Sequence, residues 1–181
     1  MISDKLIEHV KKYEGFKAKP YVDTVGKWTV GYGRNIEDNP LSVNEVVDLF
    51  QHISWDSLRS AEVWAEDLMA YDLANVQEEL QRNLVFFNGL HDYEKLVLMD
   101  LGFNVGVPTL LKFKGMLHAL DNDDSITASY ELMNSRYAVQ TKRRAAANAR
   151  ILANNDSNFN AAKEMLRERR PDIYLVLERW L

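Results

Sequence analysis

The chain has 181 residues, 46% of them apolar and 27% charged, which suits one domain, or two small lobes on one chain, with enough apolar side chains for a core. It has no cysteine, which excludes a disulfide scaffold and thiolate metal sites. The net charge of −5 is uneven: residues 1–135 hold 12 Lys and Arg against 22 Asp and Glu, net −10, and residues 136–181 hold 10 against 5, net +5. The acidic whole argues against a nucleic-acid-binding protein. The basic end reads first as a solvated helical face and second as a surface for an anionic partner.

Residues 3–13 form the first expected helix, with Ser3 as N-cap, Asp4 in the first turn, and Leu6, Ile7, Val10 and Tyr13 on one face. Gly15 is the expected left-handed residue after its end. The period then changes. Val22 precedes a turn at Thr24-Val25-Gly26, after which Trp28, Val30 and Tyr32 alternate with Lys27, Thr29 and Gly31, so a hairpin or three-stranded sheet with an apolar Trp28/Val30/Tyr32 face is expected. Asn39-Pro40 closes it. Ser42 and Glu45 have the spacing of a capping box, ahead of an apolar face of Val43, Val46, Val47 and Phe50. From Ser60 to about Arg82, Trp64, Leu68, Tyr71, Val76 and Leu80 recur near helical spacing. The remainder is helical, broken at 88–89, 106–108, 121–124, 154–158 and 170–172. The fold class is α+β, predominantly helical, with its only sheet near the N-terminus.

Several chemistries find no support. The histidines His9, His52, His91 and His118 show no partner at ligand spacing and no HExxH, so no metal is expected. There is no GxSxG. Gly31-Tyr32-Gly33 lacks the third glycine of a dinucleotide loop and reads instead as close backbone approach. Apolar runs such as 96–99 are far too short to cross a bilayer. The start, MISDKLIEHVKKYEGF, has early acids and no apolar segment, which is not the pattern of a signal peptide.

Glu14 is different. At a helix C-terminus the macrodipole disfavours the anion, so Glu14 is expected to hold its proton more tightly than an ordinary glutamate, as a general acid requires. Asp23 stands before a turn, a common place for an aspartate that bonds its own backbone. Thr29 lies on the other strand face from Trp28 and Val30, where the hairpin would bring it near Asp23. A carboxylate and a hydroxyl in reach of each other can hold a water while a second carboxyl protonates a leaving group, which is glycoside hydrolysis by inversion.

Glu14, Asp23 and Thr29, with the stretch EGFKAKPYVDTVGKWTVGYG around them, resemble the catalytic signature of the phage-type lysozymes, the T4-like endolysins of glycoside hydrolase family 24. Leu101-Gly102-Phe103-Asn104-Val105-Gly106 and Ser135-Arg136-Tyr137 to Ala145 resemble two later segments of that family, in the same order. The resemblance covers residues 3 to 150. It implies a small β-containing lobe (15–60), a connecting helix (61–82) and a helical lobe (83–181) onto which helix 1 packs, within one catalytic domain. It implies a muramidase cleaving the β-1,4 bond between N-acetylmuramic acid and N-acetylglucosamine, with Glu14 as general acid, Asp23 activating water and Thr29 positioning it. Asn104, Tyr32, Phe113, Gln140 and Arg144 are the substrate-binding residues it implies, with Arg144 paired to the catalytic glutamate and helical phase deciding between Arg143 and Arg144. An endolysin role follows: a monomer without cofactor, made in the host cytoplasm and reaching peptidoglycan in the periplasm or cell wall through a holin. The alternatives are a wall-binding or tail-associated module without turnover, and a lytic transglycosylase. Two departures stand out. Arg34 occupies a position where many relatives have histidine, and 151–181 extends past the smallest members, with an apolar patch of Ile173, Val176, Leu177, Trp180 and Leu181.

Overall fold

Ser3 starts the first helix as expected, its hydroxyl accepting the Leu6 amide at 3.3 Å. The structure, a computed structural model, describes residues 2–46 and 58–181. Helix α1 (Asp4–Lys11) buries Leu6 and Val10. It ends without a left-handed glycine: positive φ falls on Gly26, Gly31, Gly33 and Gly106, and not on Gly15. Instead, the Tyr13 and Glu14 amides both donate to the Val10 carbonyl, at 3.0 and 3.1 Å. The chain thus makes one more tight turn and needs no special residue to leave the helix.

Three antiparallel strands follow, β1 (Lys17–Val22), β2 (Trp28–Gly31) and β3 (Arg34–Asn35), in the order β1-β2-β3. Tyr21 faces Thr29 and Val22 faces Trp28, whereas Lys17 faces Gly31, so β1 carries an irregularity between Lys17 and Tyr21. The expected apolar face is only partly realised. Val30 and Tyr32 are buried, but Trp28 is 50% exposed and Thr29 only 3%. The middle of β2 is covered on both faces, so burial does not follow a simple alternation there.

The Ser42–Glu45 capping box forms reciprocally, the Ser42 amide donating to Glu45 Oε2 at 2.5 Å and the Glu45 amide to Ser42 Oγ at 3.3 Å. Residues 43–46 are helical. Val43, expected on the apolar face, is 79% exposed; Val47 and Phe50 lie outside the described residues. Helix α2 (Leu58–Asn83) runs 26 residues, about 39 Å at 1.5 Å per residue. Trp64, Leu68 and Leu80 are buried along it, while Tyr71 faces solvent.

The chain divides into two compact units, Met1–Asn75 and Val76–Leu181, with the division inside α2. The second unit is helical: α3 (Asp92–Val105), α4 (Val107–Leu110), α5 (Lys114–Asp121), α6 (Ser125–Met133), α7 (Arg136–Thr141), α8 (Arg143–Ala153), α9 (Asp156–Arg169) and α10 (Pro171–Leu177), after a 3₁₀ turn at Phe87–Gly89. The expected breaks occur, with Asp124 and Asn155 capping α6 and α9 through the Thr127 and Asn158 amides. Three further breaks appear: at 111–113, between α4 and α5, at Ser135, which caps α7, and at Lys142, whose φ of 41° separates α7 from α8. At Gly102, an added β-carbon would lie 2.7 Å from Val76 Cγ1, so this glycine lets α3 pack closely on α2. Beyond residue 150, Ile173 and Leu177 are buried, whereas Leu175, Val176 and Trp180 are exposed. The apolar patch expected there is therefore divided between core and surface.

Candidate active site

The β1–β2 turn is built around Asp23. Its amide donates to the Lys27 carbonyl at 2.9 Å, and the Gly26 amide donates to the Asp23 carbonyl at 3.2 Å. Gly26 has φ +88°, which a side chain would oppose. Asp23 Oδ1 accepts the Val25 and Lys27 amides at 2.9 and 2.8 Å. The turn-forming role open to this aspartate is thus realised, by one carboxylate oxygen. Thr29 Oγ1 donates to the Lys27 carbonyl at 3.1 Å. One carbonyl therefore accepts from both Asp23 and Thr29, which brings together two of the three residues singled out in the sequence. Because its proton is given to Lys27, the Thr29 hydroxyl offers only acceptor capacity to another molecule.

Glu14 is held between two anchored neighbours. On one side, Lys11 at the end of α1 pairs with Glu66 at 2.5 Å, Glu8 at 3.2 Å and Glu62 at 3.7 Å. The Glu66 bond, foremost, raises the Lys11 pKa. On the other side, the Phe16 ring packs on Tyr32 with centroids 5.2 Å apart. Tyr32 is 4% exposed, and its hydroxyl donates to Glu62 at 2.9 Å. Burial first, and then that bond, push the phenol up to about 12. Glu14 Oε2 comes within 3.5 Å of where a β-carbon on Gly33 would sit, and a β-carbon on Gly31 would come within 2.9 Å of Ala65 Cβ. The expected close backbone approach is found at Gly31, which lets β2 lie on α2, while Gly33, with φ +87°, stands in ordinary contact distance of the Glu14 carboxylate.

Arg34 takes several partners. It reaches Glu45 at 2.7 Å and Asp72 at 3.5 Å, and donates to the Asn39 and Pro40 carbonyls at 3.3 Å each. Asn39 Nδ2 donates to Asp72 at 3.0 Å. Burial outweighs Arg34 and Asn39 at Asp72 and raises its pKa. At Glu45 burial acts the same way but is overcome by the Ser42 bonds and Arg34, which hold that carboxyl below its ordinary value.

In the second unit, the Arg144 fork donates to Asp100, Nε to Oδ2 at 3.1 Å and Nη2 to Oδ1 at 2.7 Å, and Asn148 Nδ2 donates to Oδ2 at 2.6 Å. Arg144 is 5% exposed and Asp100 fully buried, while Arg143 is exposed. Helical phase therefore turns Arg144 inward. A cavity of about 430 Å³ has Phe113, Tyr137, Asn134 and Gln140 in its lining, with Lys112, Lys114 and Arg136 beside Glu131. The Phe113 and Tyr137 rings meet edge to face at 6.2 Å. Asn104, exposed on α3, is not part of this lining.

Residues 11–150 match the model of the phage lysozyme family. The chain belongs to that family. Among curated relatives, it is 27% identical over 150 residues to the probable T4-type lysozyme 2 of Dictyostelium discoideum, covering 77% of this chain and 88% of that protein. It is 29% identical over 143 residues to an endolysin of Acyrthosiphon pisum secondary endosymbiont phage 1, covering 78% and 85%. Membership makes this protein a lysozyme-type lytic enzyme of the glycoside hydrolase kind. The match takes in Glu14, Asp23 and Thr29 and stops within α8, so α9 and α10 lie outside it.

Of the residues the sequence nominated in this phage lysozyme, Asp23 and Thr29 share a hydrogen-bond acceptor, and Phe113 and Gln140 share a cavity. Tyr32 is a packed residue whose hydroxyl serves Glu62. Tyr21 was missed. It faces Thr29 in register, and Lys17 Nζ stands 3.8 Å from its ring centroid. Burial, then Asp23, then Glu14 push its phenol above the ordinary value, so the fields of both carboxylates reach it. The signal available in the sequence was its nearness, two residues before Asp23 at the end of the strand that leads into the turn.

Proposed function

We propose that this phage lysozyme is a muramidase that hydrolyses the β-1,4 bond between N-acetylmuramic acid and N-acetylglucosamine of peptidoglycan with inversion, as an endolysin reaching the wall through a holin. The observation that carries the reading is the shared Lys27 carbonyl. With the Thr29 proton given to Lys27 and Asp23 Oδ1 given to turn amides, the groups left for a water are acceptors: the Thr29 oxygen and Asp23 Oδ2. A water that donates one proton to each has its lone pair directed away from both, toward an anomeric carbon. As that lone pair attacks, the Asp23 carboxylate takes the proton. Glu14, at the end of α1, gives its proton to the leaving glycosidic oxygen. The aromatic wall and amide groups of the second unit's cavity suit a sugar ring with its polar substituents; Phe113 and Gln140 are assigned to substrate binding on that basis, and Asn104 and Arg144 on family membership alone.

The test is mass spectrometry of products from purified peptidoglycan, with wild type and Glu14→Gln side by side. Reducing muramic acid ends from wild type, and a loss of at least about a hundredfold in the variant, are the expected result. Anhydro-muramic ends would make the enzyme a lytic transglycosylase and remove the water-holding role of Asp23 and Thr29. Wall binding with no soluble product would make it a binding module.

A further inference from the structure

Lys17 stands at the start of a strand and four residues before Tyr21. In regular extended chain, residues four apart are about 13 Å from one another, and the reach of a lysine does not ordinarily bring its ammonium over the ring. Here it does, at 3.8 Å from the centroid. The cause is the break in register: Lys17 pairs with Gly31 but Tyr21 with Thr29, so four steps along β1 match only two along β2. The surplus chain, 18–20, contains Pro20, which has no amide to give to a ladder and is tolerated at such irregularities. Bulges of this kind re-aim side chains beside active sites. What is re-aimed here is a cation, onto a ring that faces Thr29 and stands two residues before Asp23.

We propose that Lys17 is a positioning residue of the hydrolytic site, its ammonium holding the Tyr21 ring in place on the hairpin where Asp23 and Thr29 meet the water. The ring fills the position opposite Thr29. With the ring fixed, the Thr29 hydroxyl keeps its bond to Lys27 and its lone pairs keep one direction. Burial first, and then the charges of Asp23 and Glu14, raise the phenol's pKa, so the ring stands within the field of both carboxylates. Lys17 itself is exposed, so its removal leaves the core untouched. The inference rests on the hydrolytic reading above.

The experiment is steady-state kinetics on soluble, uncrosslinked peptidoglycan chains, reading new reducing ends. Lys17→Met is expected to lower kcat about tenfold with KM held within about twofold, because orientation and not binding is lost. Lys17→Arg is expected to stay within about threefold of wild type, since a guanidinium also stacks on a ring. Tyr21→Phe keeps the ring and most of the rate. In the pair Lys17→Met and Tyr21→Leu, the double variant is expected to be no slower than Tyr21→Leu alone, because the cation acts only through the ring. Turnover by Lys17→Met within twofold of wild type overturns the inference alone, and so do additive losses in the double variant. A rise in KM with kcat unchanged also overturns it and makes Lys17 a substrate contact. The absence of turnover in wild type overturns the hydrolytic reading and, with it, this role.

Discussion

Arg34 and Arg144 are both buried arginines in carboxylate pairs, one in each unit, and they do different work. Arg34 divides itself among several partners, two carbonyls of the loop after β3, Glu45 and, from α2, Asp72, and those two acids keep 17% and 12% of their side-chain surface open to solvent. Arg144 places its fork on one fully buried carboxylate 44 residues away, and Asn148 adds a bond to the same oxygen pair. The first cluster ties down a loop at the edge of water. The second joins α3 to α8 in a place closed to it. The same residue type is thus a clasp at the edge of water in one unit and an internal tie in the other, and solvent access is what separates the two.

That contrast can be broken most forcefully at Asp100. Asp100→Ala removes the acceptor of the Arg144 fork from a dry site and is expected to lower stability by about 3–5 kcal/mol, read as the urea midpoint of unfolding. Arg34→Met should cost less, about 1–3 kcal/mol, because water can reach the acids it leaves behind. The same variant sharpens the comparison by pH. Glu45 is held below its ordinary value, so its contribution is present above the ordinary carboxylate range and is lost as pH falls through its folded value. Asp72, raised by burial, runs the other way and offsets part of this. The gap between wild type and Arg34→Met is therefore expected to narrow as pH falls from about 6 to about 3. A gap unchanged across that range would mean that Arg34 acts through its carbonyl bonds and not through the acids. The smallest effect is expected at Asn39, whose amide bonds Asp72 at the surface: Asn39→Ala should cost under about 1 kcal/mol, against a larger loss for Asn148→Ala in the buried cluster.

Much of this was legible in advance where the signal was local. Ser3, the Ser42–Glu45 box and the breaks near 122 and 154 are written in capping and turn residues whose bonds reach only two to four positions. The α+β class, the early sheet and the long α2 follow from periods of the chain. The site was legible as far as a motif can carry it: Asp23 and Thr29 could be placed near each other by a turn, but their common acceptor at Lys27 could not. Where the reading missed, a neighbour distant in sequence decided. Gly15 looked like the left-handed glycine, yet it is Gly31 and Gly33 that have positive φ, and at Gly31 the approach of Ala65 leaves no room for a β-carbon. Thr29 is buried because the middle of β2 is covered on both faces, while Trp28 at its start is left exposed. Lys142 breaks α7 from α8 with no Gly, Pro or Asn to announce it. The partnership of Arg34 with Asp72, like that of Arg144 with Asp100, joins residues that no local pattern relates.

The two units share a helix and not a loop. The boundary between Asn75 and Val76 lies inside α2, with regular helix on either side. Substitutions there can be absorbed one side chain at a time. An inserted or deleted residue cannot: it would turn everything downstream by about 100° around the helix axis and shift it by about 1.5 Å. Within each unit, a change of length beside Trp64 and Leu68 or beside Leu80 would take a buried side chain off its own core, and in comparisons among close relatives gaps should be scarce at those positions.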